Sequence, residues 1–236
     1  MRGTILFIVV VLLNCNVEAQ SRINRSILTP IEELFKPDYT RSSEFEGVDL
    51  SAAIGSPYEQ KEFKKGELID LSFDKKIVGM SFRYNVYNDQ IEIKEHPKSE
   101  DISAVIKSDQ VFVRIGNKEY HYKEYTDAYG EPKKGYLIKL RCNADINVYK
   151  ELTKTFKLPK RAQTSYHKNE PAKFLDTEKY YMEIDGKLVH VKMNKRKIAK
   201  AFPDKQPELK KYIIKEGLDF KKEVDLVRLV AYYDTL

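Results

Sequence analysis

The 236-residue chain sets 42 Lys and Arg against 36 Asp and Glu, a formal net charge of +6, and 42% of its residues are hydrophobic. That is enough apolar material for one large domain, or one domain with an appendage, and no low-complexity tract or internal repeat beyond recurring hairpins points to a fibrous or tandem-repeat protein. The charges alternate in sign along most of the chain, the pattern of a solvated surface, although a basic exported chain could approach anionic lipid head groups, acidic glycans or an acidic partner.

The N-terminus reads as a secretory signal peptide over residues 1–19. Arg2 precedes nine apolar residues, Ile5 to Leu13, and Val17-x-Ala19 supplies small exit residues for cleavage before Gln20. A membrane span would need roughly 20 apolar residues, so no transmembrane segment is expected in the mature chain. Acylation at Cys15 is disfavoured because Asn14 stands where a small residue would precede a lipidated cysteine. Cleavage removes Arg2 and Glu18 and leaves the net charge at +6. The expected location is therefore exported, periplasmic or extracellular, which also takes the chain away from nucleic acid. Cys142 then has no intramolecular disulfide partner; in phase with Tyr136, Ile138 and Leu140, it reads as a small buried hydrophobe.

Residues 20–51 are polar and mixed, with Pro30 and Pro37 and no sustained period, and read as a flexible N-terminal arm. Thr29 and Pro30 resemble an N-cap and first helical residue ahead of a turn at Ile31 to Phe35. From residue 52 to 193 the grammar has a period of two. Leu68 to Phe73 and Lys76 to Met80 make a candidate hairpin with a bend at Gly79. Phe82, Tyr84 and Val86 alternate with polar residues up to Asn88-Asp89, and Ile91 and Ile93 continue beyond that turn. Ala104 to Ile106, Val111 to Ile115, Tyr120 to Tyr122, Tyr136 to Cys142 and Ile146 to Phe156 continue the pattern. Tyr125 to Lys134 and Leu158 to Thr177 read as loops, and Tyr180 to Ile184 returns through Asp185-Gly186 into Lys187 to Val191.

At Asn194 the period lengthens. Residues 194–236 read as three short helices: Lys195 to Phe202 behind Asn194, a second from Pro207 to Gly217 with Leu209 and Ile213 apolar, and Lys222 to Tyr233 with Val224, Leu226, Val227 and Val230 inward. Helices this short are marginal alone and must pack on one another or on the sheet. The fold class is therefore α+β: mainly an antiparallel β meander of eight to ten short strands, curved or partly closed, with a short C-terminal helical subdomain. Strands shorter than the roughly 9–11 residues of a membrane barrel, and heavily charged, argue against that architecture.

No catalytic constellation emerges. His96, His121, His167 and His190 are scattered without a zinc spacing, and His121 and His190 fall on the outward phase of their strands. No Gly-x-Ser-x-Gly elbow or phosphate loop is present, so neither metal nor cofactor is expected and an enzyme is not the favoured reading. Two clusters could bind. Tyr120, Tyr122 and Tyr136, with Tyr125 and Tyr129, gather around one loop and could line a concave surface; sixteen tyrosines without a tryptophan otherwise suit sheet residues. From Gly186 onward thirteen Lys or Arg face seven Asp or Glu, and Lys195, Arg196 and Lys197 form its densest cationic run.

Phe82-Arg83-Tyr84-Asn85-Val86-Tyr87-Asn88-Asp89-Gln90-Ile91-Glu92-Ile93, with Gly55-Ser56-Pro57-Tyr58 upstream and the closing Lys221 to Tyr233, resembles uncharacterised exported proteins of Bacteroidota-type bacteria. The resemblance implies an envelope location and one architectural unit, and it carries no activity or site residues. The expected function is a non-enzymatic binding or structural module whose partner is an anionic envelope component or another envelope protein. The alternative is a small-molecule binder or hydrolase with a pocket between the sheet and the 158–177 loop, holding His167 beside a carboxylate. A third reading is an envelope sensor tethered through the N-terminal arm.

Overall fold

The computed structural model describes residues 28–30, 53–94, 96, 98, 100–141, 146–162, 168–184 and 186–236. The signal peptide, the turn expected at 31–35, Cys142 and His167 lie outside them. In chain order the strands are β1 (Leu28–Pro30), β2 (Lys64–Asp70), β3 (Lys75–Asn85), β4 (Gln90–Lys94), β5 (Ser103–Val105), β6 (Val111–Ile115), β7 (Lys118–Thr126), β8 (Pro132–Arg141), β9 (Ile146–Lys157), β10 (Lys173–Ile184) and β11 (Lys187–Val191). Among the described residues they form one eleven-stranded sheet ordered β1-β5-β4-β3-β2-β6-β7-β8-β9-β10-β11. Every adjacent pair is antiparallel. The sheet is open, with β1 and β11 at its edges. Two helices follow, α1 (Gln206–Lys215) and α2 (Glu223–Tyr233), after 3-10 turns at Ile198–Ala201 and Pro203–Lys205.

Alternation decides where each side chain goes, because neighbours along a strand point to opposite faces. On one face Leu68, Phe82, Tyr84, Ile91, Ile93, Val113, Tyr120, Tyr136 and Ile138 form the first core, all at most 2% exposed. The same face continues through Val148, Tyr180, Met182 and Val191, where Ile198, Phe202, Leu209, Ile213, Leu226, Leu229 and Val230 cover it. The opposite face carries a separate apolar core between β7 and β11, made by Tyr125, Leu137, Tyr149, Tyr181 and Leu188, and is also buried on β3, β4 and β5 at Asn85, Glu92 and Ala104. Strand β8 accordingly buries three consecutive side chains, Tyr136, Leu137 and Ile138.

The sheet bends where β2 crosses β3. Gly66 pairs with Met80 while Glu67 pairs with Val78, which leaves Gly79 as a bulge. Gly79 has φ +89, a left-handed conformation that residues with a Cβ adopt only at a cost. Gly66 serves the bend differently: a Cβ there would sit 2.4 Å from the Arg114 carbonyl oxygen and 2.8 Å from Phe82 Cδ2.

The segment before β2 fastens this half of the molecule. Ile54 bridges Lys173 at the start of β10, and Tyr58 bridges Asn85 at the end of β3. The Arg83 guanidinium lies between the rings of Tyr58 and Phe63, 3.9 Å and 4.4 Å from their centroids. It donates to Glu92 Oε2 at 2.5 Å, to the Lys61 carbonyl and to the Tyr58 hydroxyl. Glu92 is wholly buried and also accepts from Asn85 Nδ2 at 3.2 Å.

Several expectations are corrected. Residues 28–30 pair with β5 as strand, so Thr29 and Pro30 do not open a helix. The stretch expected as a loop to Thr177 is strand from Lys173, because β9 runs on to Lys157 and pairs with β10 through all twelve of its residues. Likewise β7 extends to Thr126 and β8 starts at Pro132, which shortens the loop between them. At 10–12 residues, β3, β8, β9 and β10 are longer than expected. Strand length therefore does not bear on the barrel question; the two free edges do. Lys195 to Phe202 is a turn followed by a 3-10 segment rather than an α-helix.

Candidate functional site

The C-terminal subdomain carries a groove of about 570 Å³ lined by Lys195, Arg196, Lys210, Ile213, Ile214 and Gly217. Lys195 and Arg196 ride on a tight turn after β11. The Arg196 N–H donates to Asn194 Oδ1 at 2.9 Å, and the Asn194 carbonyl accepts from the N–H groups of both Lys197 and Ile198. Asn194 thus caps a turn, as its short polar side chain suits it to do, and Ile198 and Ala199 anchor that turn in the core at 1% and 0% exposure. Lys210 stands on α1, where its ammonium donates to Gln206 Oε1 one turn back.

The floor comes from the end of α1. Leu218 N–H donates to the Ile213 carbonyl at 3.1 Å and Gly217 N–H to the Ile214 carbonyl at 3.3 Å, the paired bonds of a Schellman cap, with Gly217 at φ +62. Leu218 and Ile213 bury together beneath it. Ile214, one residue further round the helix, is 80% exposed. Among the described residues no carboxylate pairs with Lys195, Arg196, Lys197 or Lys210. By contrast, Arg228 on α2 is held by Glu216 and Asp225.

A second polar constellation lies inside the curve of β7 to β11. The Glu151 carboxylate, 2% exposed, accepts from the hydroxyls of Tyr125 at 2.9 Å and Tyr181 at 2.8 Å, and pairs with the Lys133 ammonium. Two residues along β10 from Tyr181, Glu183 accepts from Lys123, Asn147 and Tyr149. Burial works against ionisation of both acids, but their lysine and hydroxyl donors outweigh it and hold each below its ordinary value. Desolvation, with the nearby carboxylate, pushes the Tyr125 and Tyr181 hydroxyls far above theirs, so they remain donors. Every oxygen of Glu151 is occupied, which makes this a structural lock between β7, β8, β9 and β10.

The sequence-derived site residues are distributed unevenly. Lys195 and Arg196 flank the groove, and Lys197 is exposed beside them. Tyr120, Tyr122 and Tyr136 do converge, joined through Tyr84 into one run of ring contacts: ring centroids lie 5.4 Å apart for Tyr84 and Tyr120, 6.0 Å for Tyr84 and Tyr136, and 5.4 Å for Tyr122 and Tyr136. Tyr120 and Tyr136 are each 2% exposed, so they pack the first core instead of lining an open concavity. Only Tyr122 reaches its margin, beside Lys107. His121 is not the solvated imidazole expected on an outward phase. It stacks on Phe112 at 4.6 Å, and burial pushes it below its ordinary value despite the Glu119 carboxylate 3.3 Å away.

Sequence reasoning missed Ile214 as a lining residue. The signal was available: Ile213 and Ile214 are adjacent on a helix, and an apolar stripe wide enough for one leaves the other outside. It also missed the Glu151 lock, whose partners lie on three other strands.

Among the described residues no group of three or more His, Cys, Asp or Glu could hold a metal ion, and no helix is long and apolar enough to cross a membrane. Compared with protein-family models, curated proteins and solved structures, the chain matches none.

Proposed function

We propose that the chain is an exported, non-enzymatic envelope protein that binds an anionic partner through the basic face of its C-terminal subdomain. The observation that carries the reading is the convergence of Lys195, Arg196 and Lys210, none with an acidic partner among the described residues, around one apolar-floored groove. With no carboxylate partner among the described residues, Lys195 and Arg196 can meet an external anion without first breaking an internal ion pair, and Lys210 need only exchange its contact with Gln206 Oε1. Opposite charges across an interface raise association rate and fix orientation, and salt screens them over about 10 Å at 0.1 M. The apolar run at Ile5 to Leu13 and the Val17-x-Ala19 exit support export ahead of that encounter.

The test is retention of the purified protein on vesicles containing phosphatidylglycerol, measured from low to high salt, with Lys195→Glu/Arg196→Glu alongside. Wild type is expected to be retained at low salt and released as salt rises, and the charge-reversed variant to be lost at every salt concentration. Retention that ignores both salt and charge reversal refutes the reading. N-terminal sequencing of protein recovered outside the cytoplasm is expected to begin at Gln20.

A further inference from the structure

We infer that the groove takes one acyl chain of an anionic lipid that remains seated in its leaflet, with the lipid's charged group held by Lys195, Arg196 and Lys210. This rests on the anionic-partner reading and adds to it the part of the ligand that the cations do not explain.

A purely polyanionic partner, such as an acidic glycan, would be satisfied by the cations alone. Here they surround an apolar floor: Ile213 is 4% exposed, and Ile214 rises beside it at 80%. Gly217 contributes no side chain, and a Cβ there would meet nothing within 4 Å, so the far end of the groove stays open. The volume, about 570 Å³, falls within the roughly 300–1,000 Å³ of small-ligand sites.

Openness selects the source of the chain. A lipid pulled wholly out of a membrane would have one side of its tail in the groove and the other in water. A lipid still in its leaflet keeps that second side in hydrocarbon, and Ile214 enters the same layer. The long stems of Lys195, Arg196 and Lys210 can lie along the apolar surface while their charged ends stay at the level of the phosphates. Contact of this kind is peripheral, an apolar side chain and several cations sharing one face, as in helices that lie on a membrane without crossing it.

The experiment uses the full chain with two probes: phosphatidylglycerol–phosphatidylcholine vesicles, and dextran sulfate, which carries anionic charge and no acyl chain. Wild type, Ile214→Ser and Lys195→Glu/Arg196→Glu are compared on both, and thermal melts confirm that the exposed Ile214 position tolerates serine. Ile214→Ser is expected to lose roughly ten-fold in vesicle partitioning, the scale of one apolar side chain withdrawn from a hydrocarbon layer, with dextran sulfate retention unchanged. Charge reversal is expected to weaken both. If Ile214→Ser partitions like wild type while charge reversal abolishes vesicle binding, the acyl-chain inference falls and the anionic-partner reading stands. Binding to dextran sulfate without binding to vesicles also overturns the inference. If charge reversal changes neither probe, the anionic-partner reading itself falls.

Discussion

Replacing Tyr181 by Phe removes one hydroxyl from a ring that is fully buried and leaves the ring itself in place, 4.9 Å from Tyr125 in an edge-on contact. What is lost is the 2.8 Å hydrogen bond to Glu151 Oε2, a donor to a buried anion that keeps Tyr125 and Lys133 as its partners among the described residues. Hydrogen bonds to charged groups contribute about 1.5–3 kcal/mol. In a chain of this size each kcal/mol moves the melting temperature by about 2–4 °C, so the expected drop at neutral pH is about 3–12 °C. The pH dependence provides the sharper test. Glu151 ionises below its ordinary value of 4.5 in the fold, so its ionised form adds stability that is complete above that value and fades as pH falls through the folded pKa. The gap between wild type and Tyr181→Phe should therefore be widest near neutrality and narrow under acid. Glu151→Gln should flatten the acid limb and couple non-additively with Tyr181→Phe. Melts followed by circular dichroism from pH 7 down to pH 3 decide it. An equal gap at both ends, or none at pH 7, would show that the hydroxyl does not support the buried charge.

The corner of the sheet makes a paired prediction. Gly66→Ala has no room, so it should destabilise by about 1–3 kcal/mol or more, whereas Gly79→Ala meets open space and suffers only from its left-handed backbone, about 1–2 kcal/mol. Gly79→Asn should recover part of that loss and Gly66→Asn none, read as urea midpoints; equal tolerance at both sites would dissolve the distinction. Arg83→Ala leaves the wholly buried Glu92 with Asn85 as its remaining described partner and should cost about 3–5 kcal/mol. Adding Glu92→Gln to that variant should restore part of the stability, and a single-variant loss under about 1 kcal/mol would refute the clamp.

Alternation was legible wherever a strand buries one face. Val111, Val113 and Ile115 are buried as their phase requires, and β10 returns into β11 with Ile184 paired to Lys187. It was illegible where hydrogen bonding, and not burial, defines the strand. Lys173 to Lys179 show no apolar period, yet they are strand because β9 extends alongside them. Strand β1 is three residues paired across more than seventy positions of chain, a contact that no local window contains. On α2 the inward stripe is Asp225, Leu226, Leu229 and Val230, with Val224 58% exposed. The buried aspartate turns the helix: it accepts from the Asp219 N–H at 2.9 Å and from Arg228, a polar anchor that an apolar count overlooks. The cationic run at 195–197 was visible from charge alone. The groove beside it depends on how α1 ends and packs, with Ile213 buried and Ile214 exposed along the same lining.

Strand β8 has no idle side. Tyr136 and Ile138 belong to one core, Leu137 to another, and Leu140 packs against both the first core and the helical one. A wall shared by three rooms cannot be moved for the sake of one of them. Loosening at the hairpin end should therefore be felt beneath the helices, and the molecule should melt as a unit even though its chain resembles two meanders stitched together.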